Sequence, residues 1–197
     1  LPGSPDGLRL GLAGTFLNYK NVSNYAYNGG AGEAWTTGLS AAYPLIRSQG
    51  ANLNGSLNYD IKSYNNRNFI TDSVISAYNI NNISAGLSGN IADGLGYGAI
   101  NSGSITLVFG HLDILSTSQA NYGMYQIPNS SPPVYGVVTP SNFTKLSFAA
   151  NRTQQLNEGG TTSLYAAASG QFASTNLNTA EQIYLGGPYA VRAYPVA

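Results

Sequence analysis

Apolar and polar residues alternate with a period of two along much of this chain, and a helical period is nearly absent. In residues 51–64, Leu53 and Leu57 fall on one face while Asn54 and Asn58 fall on the other. Since successive strand residues point to opposite faces, this alternation predicts a β-strand with one apolar face. Six further segments show the same pattern. The seven predicted strands cover residues 7–19, 34–46, 51–64, 78–91, 99–111, 143–153 and 162–174.

The lengths of the predicted strands and of their connections indicate a membrane barrel. Every strand is long enough for the roughly 9–11 residues that a tilted strand needs to cross a bilayer. The connections are long after the first and fifth strands, short after the second, fourth and sixth, and intermediate after the third. Short turns at one end and long loops at the other are typical of outer-membrane barrels. We therefore predict an all-β fold, a transmembrane antiparallel up-and-down β-barrel.

The amino-acid composition narrows the possible classes of protein. Only 8% of the residues are charged, against roughly 25% in an ordinary soluble domain. Eight acidic and eight basic side chains give no net charge, which argues against a nucleic-acid partner. The absence of cysteine excludes a disulfide framework and thiolate metal sites. No apolar run reaches the length of about 18 residues that a membrane helix requires.

Seven strands cannot close a bacterial barrel, which pairs an even number of strands so that no edge meets lipid. We therefore expect residues 1–197 to form an interior part of a larger transmembrane barrel domain. Its neighbours would be the remainder of the same barrel and the surrounding outer-membrane lipid and lipopolysaccharide.

Chemically reactive side chains are sparse. His111 and Asp113 lie two residues apart on one strand, and we expect neither to be oriented to relay a proton to the other. No second histidine or clustered carboxylates indicate a metal site. The glycine-rich residues 94–100 precede no helix that could receive a phosphate. The sequence thus predicts no enzyme, no metal and no cofactor.

The polar face of the third predicted strand carries Asp60 and Lys62 beside Asn54 and Asn58. A lysine on the lipid face would cost about 2–4 kcal/mol at the bilayer midplane. We therefore expect these four polar residues to face an aqueous lumen.

Near the C-terminal end, the stretch LGGPYAVRAYP at residues 185–195 resembles the VRGY/F signature of two-partner secretion transporters, the TpsB family. The stretches at residues 41–53, 143–156 and 163–174 also resemble barrel segments of that family, in the expected order. The resemblance spans nearly the whole chain.

This resemblance implies a position within a larger transporter. The chain would hold about seven of an expected sixteen strands, the fifth to the eleventh, with the POTRA domains and the last strands outside it. Residues from about 175 to 197 would form the sixth extracellular loop, which folds back into the lumen. Ala193 stands where glycine is commonest in the signature. The loop residues implied by the match are Gly186, Gly187, Val191, Arg192 and Tyr194.

The function implied is export of one large secreted partner, such as a haemolysin or adhesin, across a Gram-negative outer membrane without nucleotide hydrolysis. Arg192 would pair with a carboxylate on a later strand and hold the loop in the lumen. Two alternatives remain open on the strand pattern alone. One is a passive porin, and the other is a secreted all-β binding module whose apolar faces pack against each other.

Overall fold

The computed structural model describes residues 7–22, 29–117 and 141–183, which form one seven-stranded antiparallel sheet in sequential order. A 3-10 turn, Thr179–Glu181, follows the last strand. Within these ranges no helix is long and apolar enough to cross a membrane. The prediction of an all-β, up-and-down fold is confirmed. The strands are β1 (Arg9–Lys20), β2 (Gly30–Arg47), β3 (Ala51–Asn68), β4 (Ser73–Asp93), β5 (Ala99–Thr117), β6 (Asn142–Gln155) and β7 (Ser163–Ala173).

Each of the seven segments with period-two alternation is a strand, and most strands extend beyond the alternating part. β3 continues to Asn68 because its polar end still pairs with β2, where Asn68 lies opposite Gly30. The connection from β3 to β4 is therefore only residues 69–72, shorter than the intermediate loop expected from the sequence. The turns at the other end of the sheet are residues 48–50, 94–98 and 156–162.

The sheet is not closed. Among the described residues, β1 pairs only with β2, and β7 pairs only with β6, so both are edge strands. An edge strand presents unpaired backbone N–H and C=O groups, which have no water to bond with inside a bilayer. Seven strands thus form a partial barrel whose two edges require further strands.

The strand register assigns every side chain to one of two faces. Paired residues such as Lys62 and Ile80 point to the same face, and the face changes with each residue along a strand. Residues 175–183, which follow β7, pack on the face that bears Lys62, Asn82 and Lys145. We call this the covered face, the other the open face, and residues 175–183 the crossing segment.

The open face is rich in large apolar side chains that no second layer of the described chain covers. Leu12 is 75% exposed and Phe172 is 66% exposed, although both lie within strands. A contiguous apolar surface of this kind marks contact with a membrane or another protein. Other exposed apolar residues of this face are Leu10, Phe16, Leu39, Leu57, Ile83, Leu87, Ile91, Ile105, Phe109 and Leu164.

Candidate functional site

The crossing segment begins where β7 ends and turns back over the sheet. Two hydrogen bonds fix the turning point, since Ser174 N donates to Thr144 O at 2.9 Å and Thr144 N donates to Ser174 Oγ at 3.0 Å. The side chain of Asn178 then accepts a hydrogen bond of 2.9 Å from Ala180 N. This cap starts the 3-10 turn by satisfying a backbone donor that the short turn leaves free.

Leu177 anchors the crossing segment by apolar contact. It is 8% exposed and belongs to a cluster on the covered face in which Ile80 and Leu112 are fully buried. The ring of Phe143 on β6 lies over Gly110 on β5. A side chain at position 110 would collide with this ring. The remaining member of the cluster is Tyr78, whose ring stacks on that of Tyr64.

Glu181 anchors the same segment by charge. Its Oε1 accepts hydrogen bonds from Lys62 Nζ at 2.6 Å and from Asn82 Nδ2 at 3.0 Å. Its Oε2 accepts one from Lys145 Nζ at 2.5 Å. The Glu181 side chain is 1% exposed, and those of Lys62 and Lys145 are 22% and 16% exposed. A buried carboxylate is stable only when it is paired and hydrogen-bonded, and here both oxygens are satisfied.

The balance of forces on Glu181 favours its ionised form. Burial raises the pKa of Glu181, but the hydrogen bonds from Lys145 and Lys62 and the charges of these lysines outweigh it and hold the pKa below its ordinary value. The Glu181 carbonyl also accepts hydrogen bonds from Lys145 Nζ at 3.1 Å and from Gln171 Nε2 at 2.9 Å. One residue therefore connects the crossing segment to β3, β4, β6 and β7.

The polar residues singled out on β3 lie on the same face as this site. Asn54, Asn58 and Asp60 are an even number of residues from Lys62 along an uninterrupted register, and Asn58 donates to Ser84 Oγ at 3.1 Å. The loop residues inferred from the family signature, Gly186, Gly187, Val191, Arg192 and Tyr194, lie outside the described residues.

Sequence reasoning missed Glu181. Its partners are far away in the chain, and the polar stretch around it has no strand or helix period. One signal was present, because Glu158 and Glu181 are the only charged residues between Arg152 and Arg192 in a chain that is 8% charged. Of these two, Glu181 is paired whereas Glu158 lies exposed in a turn, so isolation of a charge in the sequence marks only a candidate for long-range pairing.

The open face carries a polar cluster at its turn end. Arg152 Nη1 lies 2.7 Å from Asp93 Oδ2 and 2.7 Å from Asn101 Oδ1. Gln154 adds a hydrogen bond of 2.6 Å from Arg152 Nη2 and donates to the carbonyl of Leu95 in the adjacent turn.

A second polar cluster lies at the loop end of the open face. His111 Nδ1 is 2.6 Å from Asn142 Oδ1, and His111 Nε2 is 3.0 Å from Asp113 Oδ1. Our expectation that His111 and Asp113 are not oriented towards each other is therefore wrong, because side chains two residues apart on a strand share one face and these two lie within hydrogen-bond distance. Neither ring nitrogen of His111 bonds a serine of the described chain, and no three acidic or histidine side chains there could hold a metal ion.

The distance between the two polar clusters matches the height of the apolar band of a transmembrane barrel. On β5 the clusters are marked by Asn101 and His111, and the open-face residues between them include Ile105, Leu107 and Phe109. Ten residues at about 3.3 Å each, tilted by about 40°, rise about 25 Å. An apolar band of about 25 Å is the height that transmembrane barrels present to lipid.

The sequence pattern of the family "Haemolysin secretion/activation protein ShlB/FhaC/HecB" matches residues 14–195. The chain belongs to this family. The ShlB/FhaC/HecB proteins are two-partner secretion transporters of the Gram-negative outer membrane, each of which transports a secreted partner protein. The predicted family and the predicted outer-membrane location are thereby confirmed. A comparison with curated proteins and with solved structures found no match.

Proposed function

We propose that this chain forms part of the wall of a pore that exports one large secreted protein, of the haemolysin or adhesin class, across the outer membrane. In this proposal the covered face lines the aqueous lumen and the open face contacts lipid. Membership of the ShlB/FhaC/HecB family over residues 14–195 is the observation that carries the proposal.

The chemistry of the two faces supports their assignment. The covered face carries Asp60, Lys62 and Lys145, and Glu181 of the crossing segment packs against it; lipid would not solvate these charges. The open face carries a band of apolar side chains about 25 Å high between two polar clusters, and outer-membrane lipid and lipopolysaccharide would surround it. The edges of β1 and β7 would pair with the remainder of the same barrel.

The crossing segment favours a regulated transporter over the alternative of a passive porin. Leu177 and Glu181 hold it against the lumenal face by contacts that a permanently open channel does not need. The alternative of a secreted binding module would have to bury the apolar open face against a second layer of chain. No such layer packs on that face among the described residues.

Energy for export is proposed to come from folding of the partner protein outside the cell, so that the pore needs no nucleotide and no enzymatic activity. The chain's contribution would be a wall of hydrogen-bonding side chains along which an unfolded polypeptide can move. Asn54, Asn58 and Asp60 supply such groups on β3, because amide and carboxylate oxygens accept hydrogen bonds from backbone N–H groups.

The residues of the signature are proposed to hold the rest of the loop in the lumen. Gly186, Gly187, Val191, Arg192 and Tyr194 match the family motif in the sequence. Arg192 would pair with a carboxylate on a later strand, and its planar guanidinium allows a two-point contact that an ammonium cannot reproduce. Replacement of Arg192 by alanine should reduce export while the barrel still inserts, and Arg192→Lys should restore export only in part.

A secretion assay with the full-length transporter tests the proposed function. Cells that carry the gene for the secreted partner should release that protein into the medium only when the transporter is present, and should accumulate it in the periplasm otherwise. A liposome-swelling assay with sugars measures whether the transporter conducts small solutes passively, as a porin does. Undiminished release of the partner without the transporter, together with rapid sugar flux through it, would overturn export in favour of a passive channel.

A further inference from the structure

The charges around Glu181 balance while the crossing segment is docked. Lys62 and Lys145 contribute two positive charges, and Glu181 contributes one negative charge between them. Asp60 adds a second negative charge, because it precedes Lys62 by two residues on the same face. The four side chains together carry no net charge.

Release of the crossing segment would break this balance. Glu181 is the carboxylate bound to both lysines, and no other described carboxylate pairs with either. If residues 175–183 leave the sheet, Glu181 leaves with them, while Lys62, Lys145 and Asp60 stay on rigid strands. Lys62, Lys145 and Asp60 then give this part of the wall one net positive charge.

The crossing segment also spans a wide part of the wall. Its contacts reach from Gln171 on β7 to Lys62 on β3, a width of four interstrand steps. At about 4.8 Å a step, this is about 19 Å along the sheet. Polypeptide docked across this width occupies space in the lumen that an exported chain would need.

We propose that Glu181 is a latch that keeps the crossing segment docked in the lumen and masks Lys62 and Lys145, so that release of the segment both opens the pore and makes it attract anions. This inference rests on the proposed function only in taking the covered face as lumenal. Glu181 acts here as a positioning residue, since it works through the segment that it holds.

The expected change in selectivity follows from one unit of charge. At roughly 6 Å in water with about 0.15 M salt, one charge enriches anions a little under twofold and depletes cations by the same factor. The chloride-to-potassium permeability ratio should therefore be about threefold higher while the crossing segment is released than while it is docked.

Single-channel recording of the full-length transporter in planar bilayers, under a potassium chloride gradient, tests the latch. Glu181→Gln should increase the fraction of time spent in the released state and thereby move the reversal potential of the time-averaged current towards that of chloride. Glu158→Gln is the matched control, because it removes the same charge from an exposed turn between β6 and β7. This control should show wild-type opening and selectivity.

A second variant separates opening from selectivity. The triple variant Lys62→Gln, Lys145→Gln, Glu181→Gln should open as often as Glu181→Gln but lose its preference for chloride. Leu177→Ala should open the pore with the chloride preference, since it releases the segment without removing either lysine. These variants keep the proposal testable if Glu181→Gln does not assemble into a barrel.

Two results would overturn the latch. One is wild-type opening by Glu181→Gln in a protein that migrates as a folded barrel. The other is frequent opening with no shift in the reversal potential of the time-averaged current relative to Glu158→Gln. Export of the partner protein, measured for the same variants, distinguishes failure of the latch from failure of the proposed function. Normal export by the wild type with no change in any variant's conductance contradicts the latch alone, whereas absence of export by the wild type contradicts the proposed function.

Discussion

Replacement of Leu177 by alanine should release the crossing segment without disturbing the sheet. Leu177 is 8% exposed and packs with Ile80, Leu112 and Phe143 on the covered face. Leucine loses three carbon atoms on truncation to alanine, and each buried methylene contributes about 0.8 kcal/mol, so docking should weaken by about 2 kcal/mol. Since each 1.4 kcal/mol corresponds to about a tenfold change in an equilibrium constant, the released fraction should rise roughly thirtyfold.

Thiol labelling of a single cysteine measures this release. Ala180 packs against the same cluster, so that Ala180→Cys in a cysteine-free full-length transporter should react slowly with a membrane-impermeant reagent while the segment is docked. The added change Leu177→Ala should increase the labelling rate about thirtyfold. Ile183→Ala serves as the control, because Ile183 is 50% exposed, and it should change the rate less than twofold. Equal rates for the Leu177 and Ile183 variants would refute the apolar anchor.

Two further predictions concern the same face. Gly110→Ala should lower the unfolding free energy of the barrel by about 1–3 kcal/mol, because the new methyl group collides with the ring of Phe143. Urea titration measures this loss. Gly14→Ala is the control and should be nearly neutral, because its methyl group meets only one backbone atom, at 3.9 Å. Docking of the crossing segment should be constant from pH 7 to pH 5 and weaken only in stronger acid. The docked Glu181 has a lowered pKa, so its stabilisation is complete above the undocked pKa and is lost as the pH falls through the docked value. A spin label at position 180 should stay immobile until that range, and mobilisation near pH 6 would show that another group controls docking.

The sheet could be predicted from the sequence because each of its strands carries a local signal. β3 shows apolar and polar residues in strict alternation, and a shift of register by one residue would exchange its faces. Where the alternation fades, the sequence indicates the end of a strand less clearly. The polar residues 65–68 look like a loop in the sequence, yet backbone pairing with β2 and β4 extends the strand through them.

The site could not be predicted in the same way, because its energy comes from contacts between distant parts of the chain. The sequence indicated a lumenal role for Lys62, but it gave no partner for this lysine other than solvent and Asp60. Glu181 lies 119 residues further along the chain, in a segment without period, and becomes significant only when β3, β6 and the crossing segment are brought together. The sequence shows only that Glu181 is far from most other charged residues, and it does not show the partners of this side chain.

The central claim is that the covered face lines water and the open face contacts lipid, and one pair of adjacent residues on β3 tests it. Asn58→Cys and Leu57→Cys point to opposite faces of the same strand. In the full-length transporter in liposomes, a fluorophore at position 58 should be quenched by iodide in water, and one at position 57 should be quenched by brominated lipid tails. Quenching of both positions by the same agent, or the reverse assignment, would contradict the account.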